Sequence, residues 1–490
     1  MRAARKLRAA LRCLLWAAGA ALLAGCATNP VTKQQEFVLM SEQQELAVGR
    51  EMDPAIRKQY GEYASESLQQ YVSAVGRRVA GVSDRADIFF HFTVLDSPVV
   101  NAFALPGGYI YVTRGLLAHI NSEAELAGVL GHETGHVTAR HAVQQYTKAA
   151  SYQIGAGIAS VVAPGLARNF GQFGDLVFAA ISSGYSREYE TQADSLAVSY
   201  AARAGYDPRA VSSLLKTLDL LDRQRSGGKT YTSLFATHPA TEKRIADIEQ
   251  AEGITPGRAL TVNREAYLQH MDGLAYGDDV EKGVVSGSRF RHPGLRIEAV
   301  FPQGWEITNR DDAVTAADPG SRFLIELRAY TLGKKMPVEQ AAAGIARGIG
   351  LKLISGARDS INGLTAFVGS YGGTSSSLGP VVARAGFCMV RDRVFYIIGY
   401  APTPQFSAAS PFFERAIRSL RQLSPAEAAG IRPVRIRLHR VREGETLAGI
   451  LKGYSRPAEE TKTVALLNAW DPGRPAPLSP GMVIKVLRTE

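Results

Sequence analysis

Cysteine is scarce in this 490-residue chain: Cys13, Cys26 and Cys388 are all there is. Cys13 falls in an N-terminal stretch that reads as a leader and Cys26 closes the small-residue cleavage site after it, where it reads as modified, so one thiol remains and no internal disulfide framework forms. Cys388 sits in the apolar run Ala385 to Val390 and reads as a small buried hydrophobe with no catalytic role. Long apolar runs are missing too. Ile154 to Gly184 is broken by Gly, Ser and Pro164 and does not read as a membrane span. Internal repeats and low-complexity tracts are absent, which excludes solenoids and leaves about two to four ordinary globular domains. The formal charge of +10 includes Arg2, Arg5, Lys6, Arg8 and Arg12, ahead of the first cysteine with no acid among them. The remainder therefore carries +5, which does not argue for nucleic acid. Weak attraction to anionic lipid or cell-wall polymer is more in keeping.

Histidine is equally sparse, with nine in all, so the spacing of two of them is informative. His132-Glu133-Thr134-Gly135-His136 puts two imidazoles at i and i+4, about 40° apart on a helix, with Glu133 about 60° from His136. The three groups converge where a zinc ion and its water would sit beside a general base. With so few histidines the pattern should arise by composition on the order of 0.01 times in such a chain. Ser122 followed by Glu125 reads as a capping box at the start of this helix. Leu126, Val129, Leu130 and Val137 form its apolar stripe, with both histidines on the stripe's edge. A catalytic zinc normally takes three protein ligands. A second helix through 187–204 places Glu190 and Asp194 one turn apart on one face, with Ala193, Ala197 and Ala201 small enough for close helix approach. Glu190 is the third-ligand candidate; Asp194 either orients a ligating histidine or assists proton transfer.

With Ala139-Arg140-His141 and Ser186-Arg187 added, residues 30–250 resemble the gluzincin metallopeptidases. The branch is that of the CAAX prenyl endopeptidases, the heat-shock protease HtpX and the periplasmic β-barrel assembly-enhancing protease. The resemblance implies one zinc ion per chain held by His132, His136 and Glu190, with Glu133 as base and Asp194 as the second catalytic acid. It also implies a substrate-binding edge strand within Asn101 to Val112, where Pro106-Gly107-Gly108 reads as a turn and Tyr109 to Thr113 as an alternating strand; a plain hairpin is the alternative. In periplasmic relatives a histidine at the place of His238 caps the open zinc position, so His238 is a candidate gate; capping of the following helix is the alternative.

Residues 1–25 read as a signal peptide, with a basic start, a short apolar run Cys13 to Leu23 and Leu23-Ala24-Gly25-Cys26 at its end. That ending resembles a bacterial lipobox, implying lipidation of Cys26, and Ala27 resembles the outer-membrane sorting pattern. The metallopeptidase domain follows over 26–255, with 41–80 helical and a strand at Ile88 to Val94. Ile154 to Gly184 reads as a mobile cover over the cleft or as an irregular core segment. Residues 256–288 read as a linker and 289–424 as an α+β domain of unknown role. Val441 to Ile450, Ala465 to Asn468 and Leu478 to Val486 resemble a LysM module over 433–490, a family that binds peptidoglycan glycan.

The expected fold is a mostly α-helical zincin-type domain with a small β-sheet, then the α+β domain and the LysM-like βααβ module. The expected activity is that of a zinc endopeptidase on the inner leaflet of the outer membrane, cutting misfolded or unassembled periplasmic proteins. Protein substrates, the membrane, peptidoglycan and outer-membrane assembly machinery are the expected partners, and nucleic acid is not. A chaperone with little turnover, or a peptidoglycan-associated scaffold, is the alternative.

Overall fold

Where the sequence suggests one helical stretch over 41–80, the chain forms two helices. α1 (Glu42–Tyr60) starts at Ser41, whose hydroxyl accepts from Gln44 N while the Gln44 side chain accepts from Ser41 N. It ends at Gly61, in the left-handed region at φ 75°, and Ser65 caps α2 (Glu66–Ala80). This computed structural model describes residues 26–155, 171–225, 238, 242–252, 260–310, 312–320, 322–375 and 379–490.

A short hairpin, β1 (Cys26–Thr28) with β2 (Gln35–Phe37), precedes α1. The sheet beside the motif helices has three strands: β3 (His91–Leu95), β4 (Ala102–Leu105) and β5 (Tyr109–Thr113). Its order is β3-β5-β4, with β5 parallel to β3 and antiparallel to β4. Of the segment expected to hold the edge strand, Ala102–Leu105 lies at the edge of the sheet, while Tyr109–Thr113 is central. The Pro106-Gly107-Gly108 turn causes it, since φ of 80° and 89° at the two glycines folds β5 back onto β4. Asn101 lies at the far end of the hairpin, where its carbonyl accepts from Thr113 N at 3.0 Å.

The helices that follow are α3 (Arg114–His119), α4 (Glu123–Thr138), α5 (His141–Gly155), α6 (Gly171–Ser182), α7 (Arg187–Arg203), α8 (Arg209–Arg225), α9 (Glu242–Glu252) and α10 (Arg264–Met271). Ser122 caps α4 by accepting from Glu125 N, but the Glu125 carboxylate reaches back to Asn121 N instead of Ser122 N. α4 is not the half-buried helix its stripe suggested. Every residue from Glu123 to Thr138 except His132 is buried, because α2, α7, α8 and β4 surround it. The cover expected over Ile154 to Gly184 falls partly outside the described residues; within it, α6 packs Val177, Phe178 and Ile181 against Met52 and Val143. The stretch read as a linker carries α10, whose Tyr267, Leu268 and Met271 are buried in the peptidase core. Its helical period was hidden by the charged flanks Arg264 and Glu265.

Residues 277–433 make a separate unit. Its seven-stranded antiparallel sheet runs β10 (Glu306–Asn309), β11 (Val314–Ala317), β12 (Leu324–Thr331), β16 (Arg393–Pro402), β15 (Gly379–Val390), β14 (Leu364–Ser375), β13 (Lys352–Ile361). Helices α11 (Val338–Gly348) and α12 (Phe406–Ser419) pack on it. Gly399 is required there: a Cβ would sit 2.1 Å from the Phe413 ring. A four-stranded sheet, β17-β9-β8-β7, formed by Val284–Ser286 (β7), Arg289–His292 (β8), Ile297–Val300 (β9) and Arg421–Gln422 (β17), completes the unit.

The last segment is built β18 (Val434–Arg440), α13 (Leu447–Gly453), α14 (Thr461–Leu467), β19 (Val483–Thr489), with β18 and β19 antiparallel and Thr446 capping α13. It is not a free-standing module. It groups with residues up to 276 as one compact unit: β18 also pairs with β6 (Ala275–Tyr276), and Ile436, Leu451 and Val486 join the peptidase core.

Candidate metal centre

α4 supplies the two histidines and α7 the carboxylates, and the two helices touch through their smallest residues. A Cβ on Gly131 would lie 3.3 Å from Ala197 Cα, and one on Gly135 would lie 3.3 Å from Ala193 Cα. Glycine and alanine at these positions let the backbones approach closely, so that Glu190 reaches the imidazoles. His132 Nε2 and His136 Nε2 are 3.0 Å apart, and Glu190 oxygens lie 3.6 and 3.4 Å from them. His238 joins them, its Nδ1 at 3.2 Å from His132 Nε2 and 2.7 Å from Glu190 Oε1.

Ligand bonds of about 2.0–2.2 Å in a tetrahedron put neighbouring donor atoms about 3.3 Å apart. The separations here bracket that value, and His132, His136, Glu190 and His238 each offer one donor within 4.8 Å of all the others. Borderline-soft nitrogen with one carboxylate is a zinc set. Zinc fits. Glu133 lies behind it, buried, with Oε1 3.8 Å from His238 Nε2 and Oε2 without a hydrogen-bond partner among the described residues. That spare lone pair is what a base needs.

The electrostatics follow from burial. Burial pushes the Glu133 carboxyl above its ordinary range, against the pull of His238 and His132. It holds His136 well below the usual imidazole value, keeping the neutral form that ligates. Burial also acts to raise Glu190, yet His238, His136 and His132 together hold that carboxyl below its ordinary value. Asp194 behaves likewise, burial being outweighed by Arg244 and His132.

Asp194 Oδ1 lies 3.0 Å from His132 Nδ1. Of the two roles the sequence left open for it, orientation of a ligating histidine matches this contact. Arg244 is a residue that sequence reasoning missed, yet it is central. Its Nε and Nη2 donate to the two oxygens of Asp194 at 2.7 and 2.8 Å, and Nη1 lies 3.0 Å from Glu190 Oε2. The signal that could have found it is its place on the first turn of α9 after His238. Ala104, Leu105 and Pro106 line a cavity beside the centre together with His136, Val137, Arg140 and Tyr185. Gly107 and Gly108 are not among the residues lining this cavity; a Cβ on them would meet Leu46 and Glu45 of α1 and the Phe89 carbonyl.

Comparison with known proteins agrees with this site. Peptidase family M48 matches residues 66–252. The chain is 30% identical to the mitochondrial metalloendopeptidase OMA1 of Schizosaccharomyces pombe over 226 residues, covering 45% of this chain and 65% of that protein. It is 25% identical to the beta-barrel assembly-enhancing protease of Escherichia coli K12 over 282 residues, 53% of this chain and 57% of that one. It is 32% identical to the metalloprotease YcaL of Escherichia coli K12 over 186 residues, 37% of this chain and 67% of the other. The chain thus spans less than two thirds of the length of the first two of these relatives. On that likeness, and on a donor set that suits zinc, the chain belongs to peptidase family M48, and its residues 66–252 form a zinc metalloendopeptidase domain.

Proposed function

We propose that this protein is an outer-membrane-anchored periplasmic endopeptidase that cuts misfolded or unassembled envelope proteins. The observation that carries the catalytic part is the four-donor cluster with Glu133 behind it, its Oε2 without a hydrogen-bond partner among the described residues. A bound zinc ion supplies a Lewis acid for the scissile carbonyl and lowers the pKa of a water to about 7. His132, His136 and Glu190 hold the ion. Glu133 takes the proton of the attacking water and hands it to the leaving amine nitrogen. Asp194, fixed by Arg244, keeps His132 in the tautomer that ligates.

Substrate enters as an extended strand along Ala102–Leu105, whose Ala104 and Leu105 line the cavity beside His136. Backbone pairing of that kind ignores side-chain identity, which suits a protease of non-native chains. Lipid on Cys26 provides the anchor; no helix among the described residues is long and apolar enough to cross a membrane. The relative named for β-barrel assembly supports the envelope substrates and the assembly machinery as partner. The βααβ segment 433–490 is a LysM-like module facing peptidoglycan.

His238 takes the fourth donor position, where water and substrate must enter, so it acts as a gate that keeps the resting enzyme closed. The His238→Ala chain should hydrolyse casein several-fold faster than the unaltered chain. An unchanged rate would remove the gate. The same closed arrangement favours a second reading, a client-holding assembly factor with little turnover. Survival of the envelope phenotype in a Glu133→Gln chain would favour that reading.

A further inference from the structure

We infer that His141 is a positioning residue for His136, and that Gln192 sets it. By spacing alone His141 could be read as a further ligand, because it follows His136 by five residues. Its geometry is different. Arg140, in the left-handed region at φ 58°, reverses the chain, so that the fully buried His141 opens α5 beneath His136. His141 Nδ1 lies 2.9 Å from His136 Nδ1, on the side of that ring away from the donor cluster. Its Nε2 lies 2.9 Å from Gln192 Oε1, on α7 between Glu190 and Asp194. Tyr189 stacks on the His141 ring at 4.3 Å and Tyr185 on the His136 ring at 4.1 Å, fixing both ring planes.

The proton positions follow from one requirement. For His136 Nε2 to give its lone pair to a metal, the ring proton must sit on Nδ1, which then needs an acceptor. His141 Nδ1 accepts only if the His141 proton is on Nε2, and a proton there needs an acceptor in turn. The Gln192 carbonyl oxygen is that acceptor. With the amide turned round, its NH2 would donate to His141 Nε2, His141 would donate to His136, and His136 would carry its proton where the metal binds. Only one orientation of Gln192 is compatible with ligation. His132 gets the same service from the charged Asp194, so the two ligands are held by different devices.

The inference rests on the metallopeptidase reading, and zinc affinity separates the two. Titrate the full chain with zinc against a fluorescent chelator, unaltered and as His141→Phe, Gln192→Met and Gln192→Glu. His141→Phe should weaken zinc binding about 10- to 100-fold and Gln192→Met by about tenfold, the range for loss of a ligand's hydrogen-bond partner. Gln192→Glu keeps an acceptor and should restore affinity. Histidine 15N shifts should place the proton of His141 on Nε2, and Gln192→Met should abolish that preference. Unaltered zinc affinity in both His141→Phe and Gln192→Met, or a His141 proton on Nδ1, overturns the role. Failure of the unaltered chain to bind zinc would overturn the metal reading itself. If His141→Phe does not fold, the two Gln192 variants decide alone.

Discussion

Arg244 grips Asp194 through two parallel hydrogen bonds of 2.7 and 2.8 Å, in a pocket where both side chains are at most 7% exposed. Asp194 Oδ1 also faces His132 Nδ1, so the same carboxylate that Arg244 holds orients a ligating histidine. The third guanidinium nitrogen lies 3.0 Å from Glu190 Oε2, so the one cation reaches both buried carboxylates.

Arg244→Gln leaves the buried Asp194 without its cationic partner and takes a positive charge from beside Glu190. The zinc-free chain should lose about 3–5 kcal/mol of stability in the transition of its peptidase unit, the usual cost of breaking a buried pair. Arg244→Lys should recover part of this, because an ammonium keeps the charge without the two-pronged geometry. Denaturant unfolding of the three chains checks it; equal midpoints would contradict it.

Lys485 makes a similar claim for the C-terminal segment. Its side chain is fully buried, and its amine donates to Ala118 O and Ile120 O at 2.6 and 2.8 Å, just ahead of the cap of α4. Burial holds it well below the ordinary lysine value, with Glu125 pulling the other way. Lys485→Met should cost about 1–3 kcal/mol by leaving these carbonyls without that donor. Deleting 434–490 should lower the melting temperature of the peptidase unit much further, because core residues leave with it. A deleted chain melting like the full one would refute a shared core.

Cys388 is 1% exposed, and burial pushes its thiol up to about 12. Iodoacetamide at pH 8 should leave it unmodified in the folded chain and alkylate it quickly in denaturant, as mass spectrometry would show. Rapid labelling of the folded chain would contradict its place in the sheet core.

Zinc binding should stabilise the chain by mass action, about 2.7 kcal/mol when free zinc is 100 times the dissociation constant. Adding a chelator should therefore lower the melting temperature of the peptidase unit and leave that of 277–433 unchanged. A uniform shift of both, or none, would count against zinc in the α4–α7 site.

The local part of the site was legible in the sequence because a helix converts spacing into direction. His132, Glu133 and His136 needed only the 100° step, and Glu190 with Asp194 needed the same step plus alanines facing glycines. What stayed hidden depends on packing between distant segments. Arg244 looks like any surface arginine until α9 folds against α7, and Lys485 like any strand lysine until β19 enters the peptidase core. Tyr109 to Thr113 alternates as an edge strand would, yet β3 covers its other side. The strand Lys352–Ile361 has its apolar residues out of alternation, Leu353 beside Ile354, and is almost wholly exposed, so no strand period marked it.

The most direct test measures zinc per chain and casein cleavage together for the unaltered protein, Glu133→Gln and Glu190→Ala. The expected result is one zinc and cleavage for the first, one zinc with cleavage reduced about 10²–10⁴-fold for the second, and loss of both for the third. Full cleavage by the Glu133→Gln chain would contradict the account.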